Sequence, residues 1–182
     1  MNRTLSRADE RRATVTNAAI EVFAVSGYRG TPVAEVAAVA GISPAYVFRL
    51  FPTKQDLFIA ALHACFDEIL AGLLADMENL PAISPRRALA ALADAYADLI
   101  TDRKLIMLQV HALAASDDPE IRDAMRAQQA RLVEFVTDHT QAAQAEIQTF
   151  VARGQLCHLV AALDLDNSTE PWATRLTEGL VH

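Results

Sequence analysis

The sequence predicts an all-α protein, with a small N-terminal three-helix unit followed by a larger helical body. Three observations carry this expectation. Alanine and leucine dominate a 182-residue chain that is 52% hydrophobic, while only 6 glycines and 7 prolines are left for punctuation. That balance favours helices over a sandwich or barrel. Apolar residues recur three and four positions apart along most of the chain, the repeat of helices with one buried face. Four polar-proline pairs, Thr31-Pro32, Ser43-Pro44, Ser84-Pro85 and Asp118-Pro119, set an N-capping side chain before a residue whose missing N–H costs nothing in the first helical turn.

The elements follow in order. Residues 1 to about 10 lack periodicity and read as a mobile arm bearing Arg3 and Arg7. Val15, Ala19, Val22 and Phe23 then repeat at helical spacing, and Gly27 can take the left-handed conformation that ends a helix. Two short helices open at Thr31-Pro32 and Ser43-Pro44. Thr53-Lys54-Gln55-Asp56 supplies a capping box, so a long helix starts there and continues through Leu57, Ala61, Cys65, Ile69 and Leu73 to about Met77. Pro81 breaks the chain. Leu89, Leu92, Ala93, Tyr96, Leu99 and Ile100 line one helix, and residues 104–114 form a short apolar one. The segment 118–139 is amphipathic through Ile121, Met125, Leu132, Phe135 and Val136. Residues 143–163 are apolar all round, as in a helix buried on more than one side. A last short helix starts at Pro171.

Charge narrows the partners. The net charge is −7, yet residues 1–56 hold seven Lys/Arg against five acids, leaving −9 on the remainder. A slightly basic end on an acidic body points a polyanion to the first third. Cys65 and Cys157 have neither zinc-ligand spacing nor a secreted-type framework and read as buried free thiols. No signal-peptide pattern opens the chain and no apolar stretch is judged long enough to cross a bilayer, so a cytoplasmic chain without membrane partners is expected.

Residues 33–51, VAEVAAVAGISPAYVFRLF, carry the most specific pattern. A helix-turn-helix needs a small residue where its helices cross, a turn glycine able to take positive φ, and apolar residues facing the preceding helix. Ala37 and Gly41 fill the first two roles, and Val36, Ala40, Ile42, Val47 and Leu50 the third. Ser43 caps the second helix, with Ile42 and Val47 placed as a hydrophobic staple. Pro44, Ala45, Tyr46, Phe48 and Arg49 then point outward, Phe48 and Phe51 being read as packing residues.

The run GYRGTPVAEVAAVAGISPAYVFRLFPTKQDLF closely resembles the N-terminal domain of the TetR family of transcriptional regulators, over about residues 10–70. The resemblance implies a helix-turn-helix DNA-binding domain with its arm over 1–53, and a helical ligand-binding and dimerisation domain over 54–182. Carried over by position, the DNA contacts fall on Thr31 at a phosphate-facing helix N-terminus, on Tyr46 and Arg49 of the recognition helix, and on Lys54. Ser43, Pro44 and Ala45 complete the reading turn, with Arg3 and Arg7 reaching from the arm. Two positions depart from the common pattern. Pro44 stands where many relatives have a phosphate-binding lysine, and Phe48 where they often have tyrosine.

The body contains no phosphate loop, nucleophile elbow or HExxH pattern, so neither enzymatic activity nor a cofactor or metal is expected. His63 and Asp67 are spaced i, i+4 but lack further ligands. Polar residues on apolar faces mark a candidate effector cavity: Tyr96, Gln109, His111, Gln128 and His139, with Phe66, Met107 and Phe135 as apolar lining. A dimer seam is assigned by resemblance to Ile147, Phe150, Val151, Gly154, His158 and Ala161, with a core position within one subunit as the alternative. The expected function is that of a homodimeric repressor released from double-stranded operator DNA by a small molecule. A helical carrier or enzyme with a vestigial reading head, or a ligand-independent DNA-binding protein, are the alternatives.

Overall fold

The computed structural model describes residues 7–78, 84–99 and 101–180, the side chains of Arg7 and Glu78 excepted. Among them the secondary structure is helical, without strands. The elements are α1 (Arg7–Gly30), α2 (Val33–Val39), α3 (Pro44–Leu50), α4 (Lys54–Glu78), α5 (Pro85–Leu99), α6 (Arg103–Ala114), α7 (Pro119–Thr140), α8 (Gln144–Ala162), a 3-10 turn Leu165–Asn167, and α9 (Pro171–Thr177).

Local chemistry sets most of the boundaries. Ser43 Oγ accepts from Tyr46 N at 3.3 Å. Asp118 Oδ1 accepts from Glu120 N at 3.0 Å and Ile121 N at 3.4 Å, opening α7. The capping box at α4 is reciprocal: Asp56 N donates to Thr53 Oγ1 and Thr53 N to Asp56 Oδ2, both at 3.0 Å. Such caps satisfy N–H groups that the first helical turn leaves orphaned.

Two boundaries differ from expectation. Helix α1 already runs at Arg7, so residues 7–10 are not arm. Asp9 and Glu10 sit in its first turn, where acids complement the helix dipole, and residues 8–14 are exposed, which removes the apolar repeat that would betray a helix. Residues 1–6, with Arg3, lie outside the described residues, as does the Arg7 side chain. Gly27 breaks α1 at φ 69, ψ 179, and the chain still continues helically to Gly30.

Helix α4 is the hub. Over Lys54–Met77 it is long and apolar enough, by length and composition, to cross a bilayer, with a mean hydropathy of 1.8. This corrects the expectation that no such stretch exists. Its Leu57, Phe58, Ala61, Leu62, Cys65, Phe66, Ile69 and Leu73 are fully buried, and it packs against α1, α5, α6 and α7. A helix apolar on all sides is what such surroundings require. One apolar core extends from Val15 in α1 to Cys157 in α8, and a small second cluster joins Val160, Leu165 and Ala173.

Candidate nucleic-acid interface

Helices α2 and α3 are bent by 99° about their turn, within the range of a helix-turn-helix. Gly41 takes φ +67 there, a conformation open to glycine at little cost. Val36, Ala37 and Val47 are buried and hold the pair onto the core. Pro44, Ala45 and Arg49 are exposed, and Tyr46 is half-buried. No acid lies in the first turn of α3. Phe51 is buried, but Phe48 is 46% exposed. The core position that sequence reading gave to Phe48 is filled by Val47 and Phe51 instead.

Arg12 was not singled out by the sequence, yet it fixes the far end of α3. Its guanidinium donates to Leu50 O at 2.7 Å and lies 4.3 Å from the centre of the Phe51 ring. The partners are 38 residues apart in sequence, so no local pattern could reveal them.

Two expected phosphate contacts are placed differently. Thr31 is fully buried and its Oγ1 has no partner. The extended N-cap of α2 is Pro32, and the Thr31 side chain turns inward, away from solvent. Lys54 Nζ donates to Arg29 O at 3.3 Å and lies 5.2 Å from the Tyr28 ring centre. It closes the end of α1 onto the start of α4, and partial burial lowers its pKa.

The same corner joins the head to the body. Arg29 pairs with Asp117, which holds the aspartate below its usual range. Gln55 Nε2 donates to Asp118 Oδ1 at 2.6 Å. His111 packs on Gly27 so closely that a Cβ there would stand 2.8 Å from Nδ1, and its Nε2 is buried without a partner.

Most of the eight residues expected to share an effector cavity are engaged with other partners. Phe66 is core. Gln109 donates to Leu105 O at 3.3 Å and its side chain bonds the buried Tyr96 hydroxyl. Gln128 accepts from Arg131 at 2.6 Å, and Arg131 also holds Asp67 at 2.7 Å. Phe135 and His139 stack 4.0 Å apart, with His139 exposed. Met107 borders a shallow groove between α1 and α6. Tyr96 alone of the eight lines a cleft between α5 and α8, beside Phe150, Gly154 and Cys157. At about 60 Å³ it is far smaller than the about 300–1,000 Å³ of a ligand pocket. It adjoins a wider groove of about 410 Å³ that shares Ala93, Phe150 and Arg153 and is also lined by Arg86, Leu89 and Glu146. Cys65 donates to Leu105 O at 3.3 Å, and burial pushes its thiol up to about 12. No group of three or more His, Cys, Asp or Glu residues among the described residues is arranged to hold a metal.

Residues 15–61 match the family model of bacterial regulatory proteins of the tetR family. The match takes in most of α1, the α2–α3 pair and the start of α4. It is 32% identical over 92 residues to the HTH-type transcriptional activator FasR of Mycolicibacterium smegmatis, a match spanning 50% of this chain and 41% of FasR. The fold extends over the body as well. FadR from Bacillus subtilis, solved with stearoyl-CoA, superposes with a TM-score of 0.72 at 17% identity, covering 93% of this chain and 97% of FadR. AibR, solved with isovaleryl coenzyme A and operator DNA, gives 0.70 at 18% identity, covering 94% and 96%.

The six residues of α8 expected at a seam are buried to varying degrees. Phe150 and His158 are buried within the subunit. Gly154 backs onto Tyr96, where a Cβ would stand 3.6 Å from the ring. Ile147, Val151 and Ala161 are partly buried against the core. Ile147 and Val151 also line an outer groove with Val133 of α7, and Leu159 of α8 is exposed. Both ring nitrogens of His158 are buried without partners, and burial pulls its pKa down to about 4.

Proposed function

We propose that this chain is a DNA-binding transcriptional regulator, a homodimeric repressor released by a small-molecule effector, with its reading head in residues 1–53 and its sensing body in 54–182. The observation that carries the reading is α3 itself: an exposed face bearing Tyr46 and Arg49 with no acid in its first turn, held by the Ser43 cap and the Arg12 clamp within a tetR-family domain. Arg49 supplies bidentate donors for a base edge or a phosphate, and Tyr46 a hydroxyl. Ion pairing and hydrogen bonds at the head-body corner give the effector a path to the head, because moving α6 or α7 displaces the end of α1.

For the dimer, the outer face of α7 and α8 with Val133 and Leu159 is the proposed seam. An acyl thioester is the first effector class to assay. The acyl-coenzyme A ligands of FadR and AibR support it, as does the α5/α8 groove, whose lining combines Leu89, Ala93 and Phe150 with Arg86 and Arg153. Selection from random duplex DNA tests the function. A palindrome with half-sites about 34–36 Å apart is expected, bound less tightly as salt rises and released by acyl-coenzyme A. Failure to enrich any sequence refutes the regulator reading, and binding indifferent to acyl-coenzyme A refutes the effector class.

A further inference from the structure

We propose that Phe48 reads the operator, selecting thymine at the base it faces through contact with the C5-methyl group. The inference rests on the DNA-reading role of α3 and adds the base that role selects.

Phe48 is the one large apolar side chain of α3 left in water, 46% exposed, while Val47 and Phe51 are each 1% exposed and fill the space toward the core. The helix needs no second aromatic for packing. Pro44 and Ala45 lie one turn earlier and are exposed, so the three form an apolar stripe beside Arg49. The first turn of α3 carries no acid, and Arg12 binds the α3 C-terminal carbonyl of Leu50, so nothing on the stripe repels a polyanion.

The chemistry of the major groove then chooses the partner. Base edges there present acceptors, amino donors and one apolar group, the thymine methyl. A phenyl ring has no hydrogen bond to offer, so over any other base it strips water from polar atoms and returns nothing. Over thymine it covers a methyl. Pro44 adds no donor of its own, because its nitrogen carries no hydrogen, which leaves the stripe suited to methyl contact and not to amide recognition.

Replacing single thymines by deoxyuridine removes the methyl and keeps every hydrogen-bonding group. On duplexes selected by the full chain, deoxyuridine at one or two symmetric positions should weaken binding about fourfold per methyl, the equivalent of one buried methylene. For Phe48→Ala the same replacement should have no effect, while circular dichroism shows the parent helix content. Parent binding that ignores deoxyuridine everywhere overturns the proposal. So does an equal loss in parent and Phe48→Ala, which transfers the contact to another residue. A chain that selects no sequence at all overturns instead the DNA reading beneath it.

Discussion

Gly27→Ala should be among the most damaging single-methyl changes in the molecule. The backbone at Gly27 has φ 69 and ψ 179, a region reserved almost wholly for glycine, where a Cβ costs about 1–3 kcal/mol. A second cost adds to it. The new methyl carbon would stand 2.8 Å from His111 Nδ1, 3.2 Å from Cγ and 3.3 Å from Cε1, so the whole ring must shift, an overpacking of about 1–3 kcal/mol. Together these take a large share of a stability of about 5–15 kcal/mol. Urea unfolding measures the loss, and the double variant Gly27→Ala, His111→Ala separates its parts. Removing the ring should recover the overpacking and leave the backbone strain. Stability of Gly27→Ala within about 0.5 kcal/mol of the parent would refute the reasoning. A double variant no better than the sum of the singles would refute the part assigned to His111.

Gly154→Ala should be neutral or stabilise by up to about 1 kcal/mol, since alanine is the better mid-helix residue and its Cβ would meet Tyr96 in ordinary contact at 3.6 Å; a fall in the urea midpoint contradicts this. His158 is held neutral in the fold, with its pKa pulled from 6.5 to about 4, so the stability it contributes is intact above pH 6.5 and is lost as pH falls toward 4. The loss should approach about 3 kcal/mol, and a His158→Leu chain with the same pH dependence of unfolding as the parent rules it out. Leu159→Asp, on the exposed outer face of α8, should leave the subunit folded and shift sedimentation to monomer; an unchanged dimer places the seam elsewhere.

The helix-turn-helix was legible because its determinants are local. A cap, a turn glycine and an alternation of faces lie within residues 33–51, and each acts on neighbours a few positions away. Thr31 shows the limit: a polar residue before a proline looks like an N-cap, but Pro32 took that place and the hydroxyl went inside. The body was legible as helices and not as faces. An all-round apolar helix such as α8 carries no sign of which side meets its own subunit, so Gly154 and His158 could not be assigned without the neighbours that cover them. The amides expected to orient an effector bond partners within the subunit, Gln109 with the Leu105 carbonyl and Gln128 with Arg131. That is the usual fate of a buried amide.

The core that runs unbroken from Val15 to Cys157 has a consequence for how the molecule breathes. Helix α1 lies against both α4 and α6, so the amides of its buried stretch from Val15 to Ala24 are expected to exchange through openings that also disturb the body. Their protection is tied to the opening of the larger unit. A ligand seated between α5 and α8 touches no residue of α1, yet it slows exchange there by the same factor by which it stabilises the body. Exchange protection at Ala19 and Phe23 would thereby report binding at the groove proposed for the effector.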